Sequence, residues 1–135
     1  MESISLQCPV TIKVKVTEKF RNKMLEKMNK ELEEVNLKLS KIDIQRKKFI
    51  EEHEQDNPQQ VAAIVQRMEV DKAKGLKVRD KLTQDIADMK HLGLGAEIIQ
   101  GTMHHILNVK VGDKMPEVMN SEIVIEDGKI IEIRN

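Results

Sequence analysis

The sequence predicts an α+β fold: a long antiparallel helical hairpin, paired as a coiled coil, on a small four- to five-stranded antiparallel β-sheet or SH3-like barrel. Three observations predict it. Residues 9–16 (PVTIKVKV) alternate apolar and polar side chains, residues 25–49 repeat apolar side chains at alternating spacings of three and four, and residues 121–134 (SEIVIEDGKIIEIR) set Asp127-Gly128 between two alternating runs. The first and third are strand periods and the second is a helical seam.

In the first run Val10, Ile12, Val14 and Val16 share one face, and Thr11, Lys13 and Lys15 share the other. This is a half-buried strand with one wet side. Pro9 stands where a strand can begin, because it removes only one ladder donor there. Thr17 is placed to cap a helix, with Glu18 favourable in the first turn. The seam follows as Leu25, Met28, Leu32, Val35, Leu39, Ile42, Arg46 and Phe49, broken only by the arginine. Glu26–Lys30, Glu34–Lys38 and Asp43–Lys47 are spaced for ion pairs along the exposed face. A helix from 17 to 55 would be roughly 55–60 Å long.

Asn57-Pro58 ends it, with Asn57 as cap and Pro58 as first residue of a second helix. The second seam reads Val61, Ile64, Met68, Gly75, Val78, Leu82, Ile86 and Met89, with Asp71 on the stripe. Gly75 costs a helix about 1 kcal/mol against alanine and is expected where the two helices approach closely. The helix ends near His91, with Gly93 as left-handed terminator. Two helices of similar length joined by a short turn lie antiparallel. The segment 17–91 is therefore a hairpin with its tip near 56–58, and it returns the chain to the strand at 9–16.

Residues 96–134 form the remaining β-structure. Ile98, Ile99, Ile106, Leu107, Val109 and Val111 are interrupted by Gly101, Val-Gly-Asp at 111–113 is a turn, and Asp127-Gly128 is a type I′ hairpin. Residues 9–16 are expected to pair within this sheet.

Taken together, the VTIKVKVT strand, the Lys/Glu-rich helix, the LGLGAEI exit, the G-T-x-x-x-x-x-x-V-K-V-G-D segment and the closing D-G-K-I-x-E-I-R hairpin resemble the YlqD-like family of uncharacterised bacterial proteins. The resemblance covers nearly the whole chain. It rests on the two ends and the order of elements, since the middle is generic. It implies a bacterial cytosolic protein without established activity, and no catalytic residue to carry over. In some relatives the gene neighbours ribosome-maturation genes, which points toward RNA metabolism.

Composition narrows the function classes. Phe20 and Phe49 are the only aromatics, so platforms for stacking bases are lacking. Twenty-three basic and 23 acidic residues leave no net field to hold a polyanion. Cys8 is the single cysteine, which fits a reducing, cytoplasmic setting. No apolar run approaches the roughly 18 residues of a membrane span, and no signal peptide is expected. No phosphate loop, zinc spacing or nucleophile with a base is present, so no enzyme activity, catalytic residue, cofactor or metal is expected. His104 and His105, being neighbours on a strand, point to opposite faces and cannot readily chelate one ion.

The hairpin tip is the candidate interaction site. Glu51, Glu52, His53, Glu54 and Asp56 gather four carboxylates within six residues. Such a tip could carry a divalent ion, as in hairpin transcript-cleavage factors of the Gre type, but their tip motif is missing, and a solvated turn is the simpler reading. Lys110, Lys114, Lys129 and Arg134 could line a face that touches RNA, against Asp113, Glu117, Glu126 and Glu132. Leu37, Ile44, Ile50, Val65, Val70 and Leu76 lie off the seams and exceed what one two-helix contact buries, so a homo-oligomer, a dimer above all, is expected. The leading reading is a non-enzymatic interaction or scaffold protein with an unknown protein partner. The alternatives are an RNA- or ribosome-associated module, a prefoldin-like holdase and a Gre-like polymerase-channel factor.

Overall fold

The computed structural model describes residues 2–116 and 120–135. The elements are β1 (Ser3–Lys15), α1 (Glu18–Glu52), α2 (Pro58–His91), β2 (Glu97–Lys110), β3 (Ser121–Glu126) and β4 (Lys129–Arg134). They fall into two compact units: Met1–Arg21 with Leu92–Asn135, and Asn22–His91. No helix among the described residues is long and apolar enough to cross a membrane.

The first unit is built on a sheet of four strands in the order β2-β1-β3-β4. The N-terminal strand pairs within the C-terminal sheet, as expected. Two features of that sheet depart from expectation. It is mixed rather than all antiparallel: β2 and β4 run antiparallel to their neighbours, but β1 and β3 pair in parallel over Val10–Val14 and Ser121–Ile125. The chain reverses once into β2, then returns on the other side of β1 in β1's own direction, so the two central strands must agree. The sheet is also open, with β2 and β4 as edges, rather than a barrel. Among the described residues the sheet has four strands rather than five, because Gly101 does not break residues 97–110. Ile12 pairs with Gly101 and Lys13 with Ile99, leaving Gln100 as the extra residue of a bulge in one long strand.

β1 is longer than the run at 9–16. Ile4, Leu6 and Cys8 extend the even-numbered face, which is buried from Cys8, 2% exposed, through to Val16, 1% exposed. Pro9 lies inside the strand, opposite His104. It is tolerated there because β3 covers β1 only from Val10 onward, so at Pro9 the strand is an edge. Val16 ends the ladder: its N–H donates to the Ala96 carbonyl and its carbonyl accepts from Gly95, both at 2.8 Å. Gly95 (φ 87°), not Gly93, supplies the left-handed residue of this exit. Asp127 (φ 48°) and Gly128 (φ 82°) form the expected I′-type turn.

The second unit holds α2 and α1 from Asn22 onward, the capped first turn of α1 belonging to the first unit. Thr17 Oγ1 accepts from the Phe20 amide at 3.1 Å, and Asn57 Oδ1 accepts from the Gln59 amide at 3.0 Å, so both expected caps are made. Cross-helix partners fix an antiparallel register: Lys72 Nζ meets Asp43 Oδ1 at 2.8 Å, Arg46 pairs with Glu69, and Leu39 packs at Gly75. Asp43 therefore turns to the other helix rather than to Lys47. On α1 the seam from Leu25 to Phe49 coincides with the half-buried and buried stripe, Arg46 included. On α2 the stripe is Val61, Val65, Met68, Lys72, Gly75, Arg79, Leu82, Ile86 and Met89. The expected seam is thus displaced by one residue at three points. Ile64 and Val78 are 44% and 49% exposed, while Lys72 and Arg79 are half-buried on the stripe, a place a long cation can take by burying its aliphatic stem. Apolar identity misled the reading there because a long cation can do a seam residue's packing.

Candidate functional site

The tip is built from the last turn of α1. The His53 amide donates to the Phe49 carbonyl at 3.1 Å, and the Asp56 amide to the His53 carbonyl at 3.1 Å. His53 Nδ1 also stands 2.8 Å from the Phe49 carbonyl, so this nitrogen carries the hydrogen. The imidazole stacks on the Phe49 ring, with centroids 4.1 Å apart and planes at 26°. His53 thus closes a helix end whose carbonyls would otherwise lack donors. Glu51, Glu52, Glu54 and Asp56 are exposed. Glu52 lies 3.9 Å from Lys48, and Asp56 lies 3.9 Å from His53 Nε2. These contacts turn the two acids toward separate partners, and the five residues do not converge on a point. Among the described residues no three His, Cys, Asp or Glu side chains stand close enough to share a metal ion.

Of the four cations suggested as an RNA face, Lys110 stands apart from Lys129 and Arg134. Lys110 pairs with Ser3 at one end of the β1–β2 ladder, whereas Lys129 and Arg134 belong to β4, beyond β3. Glu117 lies outside the described residues. Arg134 is enclosed by acids: its Nη1 and Nη2 reach Glu97 at 2.7 and 3.0 Å, Nη2 reaches Glu132 at 2.8 Å, and Nη1 lies 3.5 Å from Glu122. Lys13 adds a contact to Glu122 at 3.1 Å. The hydrogen bonds from Arg134 hold the Glu97 and Glu132 carboxyls below the usual carboxylate range, and those carboxylates in turn raise the arginine.

Arg134 and Glu97 sit on opposite edge strands, which a flat four-stranded sheet would hold roughly 14 Å apart or more. Their bidentate pair therefore reports a curled sheet whose two edges are tied by side chains without a closing ladder. Sequence reading singled out Arg134 but missed Glu97 and Glu122. The only signal was the strand period, which puts Glu122, Val124, Glu132 and Arg134 on one face.

His104 and His105 lie opposite Pro9 and Cys8 on β2, and both are exposed. Adjacent strand residues face opposite ways. Cys8 is buried. Between the helices an open groove of about 330 Å³ is lined by Val35, Val78 and Leu82 and by three acids, Glu31, Glu34 and Asp85, against two lysines, Lys38 and Lys81. Off the seams, Leu37 and Ile44 are 57% and 66% exposed, and Ile50 and Val70 are also exposed. Leu76 is half-buried, and Val65 belongs to the seam itself.

The family described as YlqD protein matches residues 4–134. No curated protein matches the chain. Among solved structures, a crystal structure of a protein of unknown function from Synechococcus sp. WH 8102 is similar over 98% of this chain and 95% of that one, with 20% identity and a TM-score of 0.80. At that identity the likeness is one of fold.

Proposed function

Starting from the chain's membership of the YlqD family of uncharacterised bacterial proteins, we propose that it is a non-enzymatic interaction or scaffold protein that self-associates. In this reading the helices form a coiled-coil arm and the sheet is a docking module. One observation carries the reading. Leu37 and Ile44, 57% and 66% exposed, stand two helical turns apart on α1, outside the stripe that faces α2. Exposed apolar side chains repeated at such a spacing on a charged helix are surface kept for a partner. The cytoplasm is the setting that a lone free thiol fits best.

The alternative of an RNA- or ribosome-associated module has weaker support, because Arg134 is occupied by carboxylates and the remaining cations are dispersed. A holdase with a greasy tip is disfavoured by the exposed acids at 51–56, and a channel factor by the separate partners of those acids. Sedimentation of the full chain at tens of micromolar tests the proposal. A mass above the monomer is expected, and a clean monomer would remove it.

A further inference from the structure

Resting on that self-association, we infer that the second copy docks on the open edge of β2, over Thr102–Lys110, as a two-fold antiparallel β2–β2 pair. The sheet has two edges and they are built differently. β4 is six residues long and carries Lys129, Glu132 and Arg134. A short, charged edge is how sheets avoid joining other sheets. β2 is 14 residues long, and residues 98–109 contain no Asp, Glu, Lys or Arg. The same is true of residues 3–12, in the strand that pairs with it. In a chain that is 34% charged, the charges that would block edge pairing are withheld from this ribbon alone among the strands.

The side chains agree with the backbone. Ile4, Met103 and Ile106 are 54%, 64% and 67% exposed along the ribbon. Among the described residues, no strand pairs with the outer side of β2. The bulge at Gln100 interrupts the regular edge, so docking begins after it, at Thr102. The free side of β1 over Ser3–Pro9 is a poorer edge, because Pro9 has no N–H to give a further strand. β2 has no proline.

Charge identifies the occupant. Nucleic acid requires a row of cations, and this edge offers Lys110 at its end. An acidic or basic peptide would find no counter-charge. A second copy brings the same uncharged strand, and in an isologous contact each β2 shows the other the row it receives. Two open sheets then become one continuous sheet.

The test is sedimentation of three full-length chains: wild type, Ile106→Lys, and Leu37→Lys/Ile44→Lys. The two-fold contact would place both Ile106→Lys cations near one edge, so that variant should weaken association by roughly tenfold or more, and by more than the helix variant does. Hydrogen exchange on the wild type gives a second measurement, free of any folding defect in the variant. Amides within Thr102–Val109 should gain protection as concentration rises. Association lost in the helix variant and kept in Ile106→Lys, or exchange at β2 independent of concentration in a dimer, overturns this inference and leaves the self-association reading standing. A monomeric wild type overturns both.

Discussion

Leu39 Cδ2 lies 2.7 Å from the position a β-carbon at Gly75 would take. Leu39 is 7% exposed and belongs to the seam of α1, so the glycine is where one helix admits the other's leucine. In open solvent a mid-helix Gly→Ala change gains about 1 kcal/mol. Here that gain is offset by the displacement of Leu39. Gly75→Ala should therefore leave stability near the wild-type value, and Leu39→Ala should cost about 2–5 kcal/mol. In the Leu39→Ala background Gly75→Ala should stabilise by about 1 kcal/mol, because the space is free. Urea unfolding of the four chains measures the cycle, and the same effect of Gly75→Ala in both backgrounds would show that the contact does not matter.

Thr17 joins two pieces of the first unit. Its hydroxyl accepts from the Phe20 amide at 3.1 Å and donates to Asp127 Oδ1 at 2.6 Å, linking the start of α1 to the turn between β3 and β4. Thr17→Ala removes both bonds and should cost about 1 kcal/mol or somewhat more. Thr17→Ser keeps the hydroxyl and should retain most of the stability. Equal melting temperatures for the alanine and serine variants would count against the linkage.

The parts legible in the sequence are those fixed by local rules. The seam of α1, both caps and the Asp127-Gly128 turn each depend on residues within a few positions of one another. The parts missed depend on partners distant in sequence. Nothing local in Val10–Val14 says that the neighbour on one side, β3, runs parallel. The Glu97–Arg134 pair joins positions 37 apart in the chain and exists only because the sheet curls. On α2 the stripe was misread at 64, 71 and 78 because Lys72 and Arg79 occupy seam positions by their stems, the former holding Asp43 across the gap. At the tip, residue types were legible, but not that His53 folds back on Phe49 and leaves the acids apart.

Acid should loosen both units. Asp43 is held below the usual range by its hydrogen bond from Lys72, and Glu97 and Glu132 by theirs from Arg134. A carboxyl whose folded value is depressed stabilises the fold above its unfolded value, and that contribution is lost as pH falls through the depressed one. The window therefore opens at about pH 4, near the ordinary carboxylate values, and extends downward. The groups are solvated, so the fall in melting temperature should be gradual and reduced by salt. Glu97→Gln should remove part of the fall between neutral and acid pH. A melting temperature with the same pH dependence in wild type and Glu97→Gln would dissociate this pair from stability.

The tip separates a working site from a solvated turn. Glu51, Glu52, Glu54 and Asp56 sit at the C-terminal end of α1, where the helix dipole disfavours negative charge. Lys48 faces one of them and His53 another, at 3.9 Å each, while among the described residues the remaining two have no such neighbour. An octahedral ion needs its carboxylates close together on one side. Replacing all four acids by Gln should leave the melting temperature unchanged or raise it, since the unfavourable charges leave the helix end. The wild type should give no saturable heat with Mg²⁺ or Mn²⁺ in titration calorimetry at millimolar metal. The Phe49–His53 stack should survive in the quadruple variant, visible as unchanged imidazole carbon shifts, because its hydrogen bond runs to a backbone carbonyl and not to an acid. A saturable isotherm in the wild type that vanishes in the variant would make the tip an ion site and move the channel-factor reading to the front.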